Sequence, residues 1–234
     1  MIKDIKVNTA IILCAGYGKR LKPLTHNCPK PLLKINQNTL LKNNINFIKK
    51  IGVKKIFINS FFLKKKIKEY INKHNFNIPI KIINDGKTIL GTGGGINNIL
   101  SKCNTENFIV FNPDTIWNEN YISSIKKMKD IFIKKKLKNI LLVVNKKLSF
   151  DRNLKGDFQL SKGKLKKGNS NNYIYTGCQI LNREIFNGIK MKNFSMQFIW
   201  NKQILKNNLF AVESKSKFLH VTDLKMYQNL SKNN

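Results

Sequence analysis

Apolar and polar positions along this chain alternate between two periods. Val7–Leu13 (VNTAIIL) is a short, mostly apolar run that closes just before Gly16 and predicts a buried first strand. Asn38–Ile51 sets apolar residues at helical spacing (Leu40, Leu41, Ile45, Ile48), and Gly52 stops it. Further strands are predicted at Lys55–Asn59, Ile78–Ile83, Asn107–Phe111 and Asn139–Val144. Helices are predicted between them at Leu63–His74, Gly91–Leu100 and Tyr121–Phe132. Strand alternating with helix predicts an α/β fold with a Rossmann-like, doubly wound, mostly parallel sheet. After residue 145 the pattern loosens. Strand-like pieces surround Gly156–Leu160 and Tyr173–Leu181, and helices are expected near 195–206 and 223–230. The stretch SKGKLKKGNSNN (Ser161–Asn172) reads as a mobile polar loop. We expect one domain over 1–234, with a core at 1–145 and a second part at 146–234 that carries a small β-rich extension.

Composition narrows this picture. With 234 residues, 41% of them hydrophobic, the chain has room for a real core, which excludes full disorder. There is no apolar run of about 18 residues that would cross a membrane. Residues 1–9 lack the apolar centre of a secretory leader. The cysteines Cys14, Cys28, Cys103 and Cys178 form no C-x-x-C pair and read as thiols of a cytoplasmic protein. The formal net charge of +32 by itself points to a nucleic-acid or membrane partner. Its make-up points elsewhere. Only Arg20, Arg152 and Arg183 are arginine against 41 lysines, beside 34 Asn and 32 Ile, the residues that AT-rich codons supply. Arginine is the preferred reader of guanine edges and phosphates. Runs such as Lys64–Lys66 and Lys134–Lys136 read as solvated helix faces. We expect no specific nucleic-acid partner and no membrane, but a field that attracts anionic nucleotides.

The first stretch with chemistry is Leu13-Cys14-Ala15-Gly16-Tyr17-Gly18-Lys19-Arg20-Leu21. A glycine-rich turn directly after strand one lies at the carboxyl edge of the sheet, where such sheets bind ligands. Glycines let backbone N–H groups approach a phosphate. It is not a Walker loop, because G-x-x-x-x-G-K-[ST] is absent, and Leu21 stands where a dinucleotide fingerprint needs a third glycine. Lys19-Arg20, and Lys30 between two prolines, add fixed positive charge. The whole stretch AIILCAGYGKRLKPLTHNCPKPLLKI resembles the signature of the sugar-1-phosphate nucleotidyltransferases, approximately L-A-A-G-x-G-x-R-L-x-P-L-T-x-x-x-P-K-P-L, with Cys14 in place of Ala. The resemblance implies a GT-A-like version of the predicted fold, with a nucleotide-binding core at 1–145 and a sugar side at 146–234. It also implies that Leu13, Ala15, Gly16, Gly18 and Lys19 bind the nucleotide. Arg20 would hold the β- and γ-phosphates, and Lys30 the α-phosphate and the sugar phosphate.

Further segments extend the resemblance. Leu90-Gly91-Thr92-Gly93-Gly94-Gly95 is either a flexible turn or the family's L-G-T-[AG]-G segment, in which Gly91 and Thr92 would face base and ribose. Asp85 precedes it, where the family often has an acidic or amide residue near the base. Asp114, in Asn112-Pro113-Asp114-Thr115-Ile116-Trp117, ends an apolar strand as either a helix cap or a hard-cation ligand. The resemblance makes it the Mg²⁺-binding aspartate, in a form closest to the small bacterial members similar to N-acetylmuramate-1-phosphate uridylyltransferase. Gly156-Asp157-Phe158 and Tyr175-Thr176-Gly177 resemble sugar-side segments, which would put Asp157 and Gly177 near the sugar. One departure stands out. The family's second metal-binding aspartate, in W-x-D-[VI]-G-T, corresponds to His220 in Phe218–Asp223, with Asp223 three residues on. A neutral imidazole is a poor Mg²⁺ ligand, so His220 would hydrogen-bond phosphate, take a softer metal or fill space. The Glu-Lys-Pro element of the family's sugar site is not visible; Gly163–Asn169 stands near its place.

The expected activity is Mg²⁺-dependent transfer of a nucleotidyl group, from UTP first, to an N-acetylmuramate- or hexosamine-type sugar 1-phosphate, by a monomer or homodimer. Mannose-1-phosphate guanylyl transfer is second and phosphocholine cytidylyl transfer third. Readings from other classes are a non-catalytic nucleotide-binding module, motivated by His220, and a nucleic-acid-binding protein, motivated by the charge.

Overall fold

Side chains alternate across a strand, so a strand apolar at every position must be covered on both faces. In the computed structural model, which describes residues 6–232, β1 (Thr9–Leu13) is such a strand, with Ala10, Ile11 and Ile12 almost fully buried. The leader reading of residues 1–9 rests partly on residues 1–5, outside the described residues. After a glycine- and proline-rich loop, β2 (Lys34–Ile35) and β3 (Asn38–Thr39) form a short hairpin. That hairpin takes the first two residues of the predicted helix, so α1 is Leu40–Lys50. The Thr39 hydroxyl caps α1, accepting from the Lys42 N–H at 3.0 Å. There follow β4 (Lys55–Ser60), α2 (Lys64–Lys73), β5 (Ile80–Asn84), α3 (Gly91–Leu100), β6 (Asn107–Phe111), α4 (Ile122–Lys134) and β7 (Asn139–Asn145). The remainder is β8 (Gln159–Ser161), β9 (Lys164–Lys166), β10 (Tyr173–Asn182), α5 (Met196–Leu205), β11 (Phe210–Ser214) and α6 (Leu224–Lys232).

Nine strands form one sheet in the order β5-β4-β1-β6-β10-β7-β11-β9-β8. β5, β4, β1 and β6 are parallel, β10 runs antiparallel between β6 and β7, and β11 is parallel to β7. The fold is the expected α/β, mostly parallel sheet. Past residue 145, β10 and β11 lie inside the main sheet and the β8–β9 hairpin forms one of its edges. The reason is burial: Cys178, Ile180 and Leu181 of β10 are fully covered. Burial also corrects the reading of Ser161–Asn172. Lys162 and Gly163, both at positive φ, turn the chain into β9, and Leu165 is buried with its N–H on the Leu209 carbonyl. One apolar residue among lysines hid that strand.

Two apolar layers cover the sheet. On one face Ala10, Ile12, Ile56, Ile58, Ile109 and Phe111 pack with Leu41, Ile45 and Ile48 of α1 and Ile125, Met128 and Phe132 of α4. On the other, Ile11, Phe57, Phe108 and Val110 pack with Ile96 and Ile99 of α3 and Met196 and Ile199 of α5. No helix among the described residues is long and apolar enough to cross a membrane. The chain order reverses direction between β1 and β6, which opens a crevice at their carboxyl ends.

Candidate active site

That crevice holds a cleft of about 320 Å³, lined from the β1 loop by Leu13, Cys14, Ala15, Gly16, Gly18, Lys19, Arg20 and Leu21. Lys30, Pro31, Asn59, Ile89, Gly91, Thr92, Asn112, Pro113, Asp114 and Thr222 complete it. The loop shape depends on Gly18, whose φ of +64 is unfavourable for other residues and whose added Cβ would stand 2.9 Å from Thr25. Its carbonyl accepts from the Thr25 hydroxyl at 3.0 Å. A single helical turn then presents Lys19 and Arg20, both exposed, to the cleft.

Asp114 is held from several elements. Asn44, buried on α1, donates to the Pro113 carbonyl at 3.1 Å. The Asp114 carbonyl accepts from the Val221 N–H, and Thr115 and His220 pair across a β-bridge. That pairing brings His220 to the aspartate, a contact between residues distant in the chain. Lys30 Nζ stands 2.6 Å from Asp114 Oδ2 and His220 Nε2 3.2 Å from the same oxygen, while Oδ1 is buried with no partner. Burial would raise the Asp114 carboxyl, but Lys30 and His220 hold it well below the usual carboxylate range. The helix-cap alternative is not realised, because Asn118 caps the turn that follows. Asp223 caps α6, its Oδ1 accepting from the Met226 N–H at 2.9 Å.

No group of three His, Cys, Asp or Glu among the described residues could hold a metal ion. A magnesium ion, however, takes one or two carboxylates and completes its shell with phosphate oxygens and water. The unpartnered Asp114 Oδ1 fits that role, so the donor set is compatible with an ion shared with a polyphosphate.

Four expected site residues do not line the cleft. Asp85 sits behind it: its carboxylate accepts from Asn59 at 2.9 Å and Asn98 at 3.3 Å, and Asn59 Oδ1 in turn accepts from the Cys14 N–H. Asp85 thus reaches the cleft only by fixing Asn59, and burial pushes its carboxyl up against the pull of those two amides. Gly177 gives its carbonyl to the Asn112 N–H at 2.8 Å and packs against the Asn112–Thr115 segment. Asp157 is exposed and accepts from the Tyr175 N–H at 2.8 Å. His220 contacts Asp114 Oδ2 through Nε2 without lining the cleft itself. Of the glycine run, Gly91 and Thr92 line the cleft, whereas Gly93, Gly94 and Gly95 are filled by protein. Added Cβ atoms there would stand 2.3 Å from the Phe194 ring, 2.1 Å from the Lys192 carbonyl and 2.5 Å from Asn59. Asn59 and Asn112, which sequence reasoning missed, stand at the carboxyl ends of β4 and β6, so the rule that ligands bind at strand ends contained the signal.

The cleft at the switch point of the mostly parallel sheet thus sets Lys30 and Asp114 against each other beside the glycine-rich β1 loop. A sequence model of the family described as "Nucleotidyl transferase" matches residues 9–149, and the chain belongs to that family. It is accordingly a nucleotidyltransferase, from a family that generally uses a divalent metal. The chain is 36% identical over 109 residues to a D-glycero-alpha-D-manno-heptose 1-phosphate guanylyltransferase of Campylobacter jejuni, a match spanning 47% of this chain and 48% of that one. The guanylyltransferase of the same name from Aneurinibacillus thermoaerophilus is 25% identical over 218 residues, 91% of this chain and 92% of the relative. An N-acetylmuramate alpha-1-phosphate uridylyltransferase of Caulobacter vibrioides is 23% identical over 221 residues, 92% and 91%. Among solved structures, HddC from Yersinia pseudotuberculosis aligns with a TM-score of 0.75 at 21% identity, over 97% of this chain and 99% of that one. That likeness is one of fold.

Proposed function

We propose that the chain transfers a nucleotidyl group from an NTP to a sugar 1-phosphate and releases pyrophosphate. The observation that carries this reading is the Lys30–Asp114 pair at the mouth of the β1 loop, with Arg20 and Lys19 beside it. In this reading the loop N–H groups and Arg20 hold the triphosphate, and Lys30 neutralises charge on the α-phosphate as it builds. An oxygen of the sugar phosphate attacks the α-phosphorus in line; a new P–O bond forms and pyrophosphate leaves. The nucleophile is already an anion, so no general base is required, and positioning with charge neutralisation carries the rate. Asp114 would hold Mg²⁺ through Oδ1, and the ion when bound supplies positive charge to the phosphate oxygens.

The first reading for the substrates is UTP with an N-acetylmuramate- or hexosamine-type 1-phosphate, supported by the Asn112–Trp117 segment and the Caulobacter vibrioides relative. The second is GTP with a manno-configured sugar 1-phosphate, favoured by the two guanylyltransferase relatives. Pyrophosphate release with Mg²⁺, over UTP, GTP, dTTP and CTP against muramyl, glucosaminyl, glucosyl, mannosyl and heptosyl 1-phosphates, tests both. We expect release with one pairing. Nucleotide binding without release on any pairing would sink the transferase reading and leave a binding module.

A further inference from the structure

The turn that follows Gly18 is a single tight helical turn, Lys19–Leu21, whose three side chains point about 120° apart. Fixing one of them fixes where the other two point. Leu21 is the fixed one, 1% exposed, while Lys19 and Arg20 stay exposed at the cleft. What covers Leu21 includes residues from the far end of the chain. It shares a small apolar cluster with Leu33, Ile35 and Leu40, and with Val221 and Leu230. Leu230 is almost fully buried and stands on α6, which packs against the turn. Tyr227, one helical turn earlier and so on the same face of α6, donates its hydroxyl to the Lys34 carbonyl at 2.8 Å. The chain entering α6 is tied to the opposite wall. The Ile116 N–H donates to the Leu219 carbonyl and the Val221 N–H to the Asp114 carbonyl, both at 2.9 Å, and Thr222 lines the cleft.

We propose that segment 218–230 is a strap that positions the Arg20 turn, and that Leu230 is its main positioning residue, acting on the nucleotide through Leu21 and Arg20. This rests on the reading of the cleft as an NTP site. Arg20 is exposed, so its direction comes from the turn beneath it, and the turn takes its orientation from the buried Leu21. Shortening Leu230 opens a void under Leu21 and lets the turn rotate. Nucleotide binding then carries the cost of ordering Arg20, which the packed strap removes in advance. Because the same strap is bonded to the backbone of Asp114, it also sets the distance between the Arg20 wall and the Asp114 wall.

A double-mutant cycle of Leu230→Ala and Arg20→Ala, read by calorimetry with non-hydrolysable UTP and GTP analogues, tests this. We expect Leu230→Ala to weaken the analogue that binds by about fivefold and Arg20→Ala by about tenfold, with the double variant no weaker than Arg20→Ala alone. In pyrophosphate release, Leu230→Ala should raise KM for the NTP and leave kcat within about twofold of the wild type. Leu230→Met, which nearly keeps the volume, should restore wild-type behaviour. Met128→Ala, which opens a void in the separate apolar layer under α4, should lower the unfolding midpoint and leave nucleotide affinity unchanged. Additive losses in the cycle overturn the proposal, as does a fall in kcat at unchanged KM, or a loss of affinity in Met128→Ala equal to that in Leu230→Ala. If Leu230→Ala unfolds, Leu230→Val carries the cycle with an expected loss of about threefold, and wild-type affinity in that variant overturns the proposal. A wild type that binds neither analogue defeats the NTP reading itself. Tight wild-type binding that a folded Leu230→Ala leaves unchanged defeats this proposal alone.

Discussion

At the scale of single residues, the site turns on how one carboxylate is partnered. Asp114 is only 18% exposed, and burial of an unpaired charge is expensive, so its ionised state depends on Lys30 and His220. Replacing it with asparagine removes the charge and keeps the shape. We expect Asp114→Asn to lower turnover by about 100-fold or more while nucleotide binding persists, measured by pyrophosphate release and calorimetry. The unfolding midpoint should fall too, because Lys30 loses its partner while 87% of its side chain stays covered, as its 13% exposure implies. Near-wild-type turnover would remove Asp114 from the reacting centre. Asp85 teaches the complementary lesson. It is the kind of residue a sequence offers as a base contact, and in the fold it holds the Asn59 amide that in turn orients the Cys14 N–H.

At the scale of elements, the glycine run opening α3 shows what a sequence can and cannot convey. A run of small residues announces close approach, but not by what. Here the approaching group is the chain itself. The Phe194 carbonyl accepts from the N–H groups of Gly93 and Gly94 at 2.9 and 3.0 Å, and Thr92 Oγ1 accepts from the Met196 N–H. The helix start is thus closed by a segment about 100 residues away, which no local pattern announces. On helix propensity alone, Gly94→Ala would stabilise by about 1 kcal/mol. The Lys192 carbonyl 2.1 Å from the new Cβ reverses the sign, and we expect a net loss of about 1–3 kcal/mol. Thermal unfolding reads it as a midpoint several degrees lower, whereas Gly16→Ala, with nothing within 4 Å, should leave the midpoint near the wild-type value. A raised midpoint for Gly94→Ala would mean that the 192–194 segment does not pack there. The β1 loop was legible for the opposite reason: glycines, prolines and cations adjacent in the chain make its chemistry local. The contact between His220 and Asp114 was not, because it depends on the pairing of 114–116 with 219–221.

At the scale of the molecule, the charge must be weighed against where the arginines lie. Arg152 donates to the Lys147 carbonyl and Arg183 to those of Leu100 and Cys103. Arg20 is the arginine that lines the cleft. The rest of the positive charge is lysine, strongly hydrated point charges without the planar fork that reads phosphate or guanine in a fixed geometry. The molecule therefore carries two kinds of anion attraction: a diffuse field from the net charge of +32, and one organised site. They separate by salt and by mutation. A diffuse field acts through counterion release, so binding to single-stranded RNA should fall by about 100-fold or more between roughly 50 and 200 mM salt and be indifferent to Arg20→Ala. Nucleotide binding in the cleft should weaken less with salt, because Lys30 there is largely covered and the loop N–H groups carry no counterion, and Arg20→Ala should reduce it by about tenfold. Fluorescence anisotropy with a labelled RNA and calorimetry with NTP, each at both salt concentrations, give the four numbers. RNA binding that stays tight at roughly 200 mM salt would make a nucleic acid a true partner and the lysine surface its site. RNA binding that collapses while cleft binding holds leaves the surface charge as a compositional feature that steers anionic substrates toward Arg20 and Lys30.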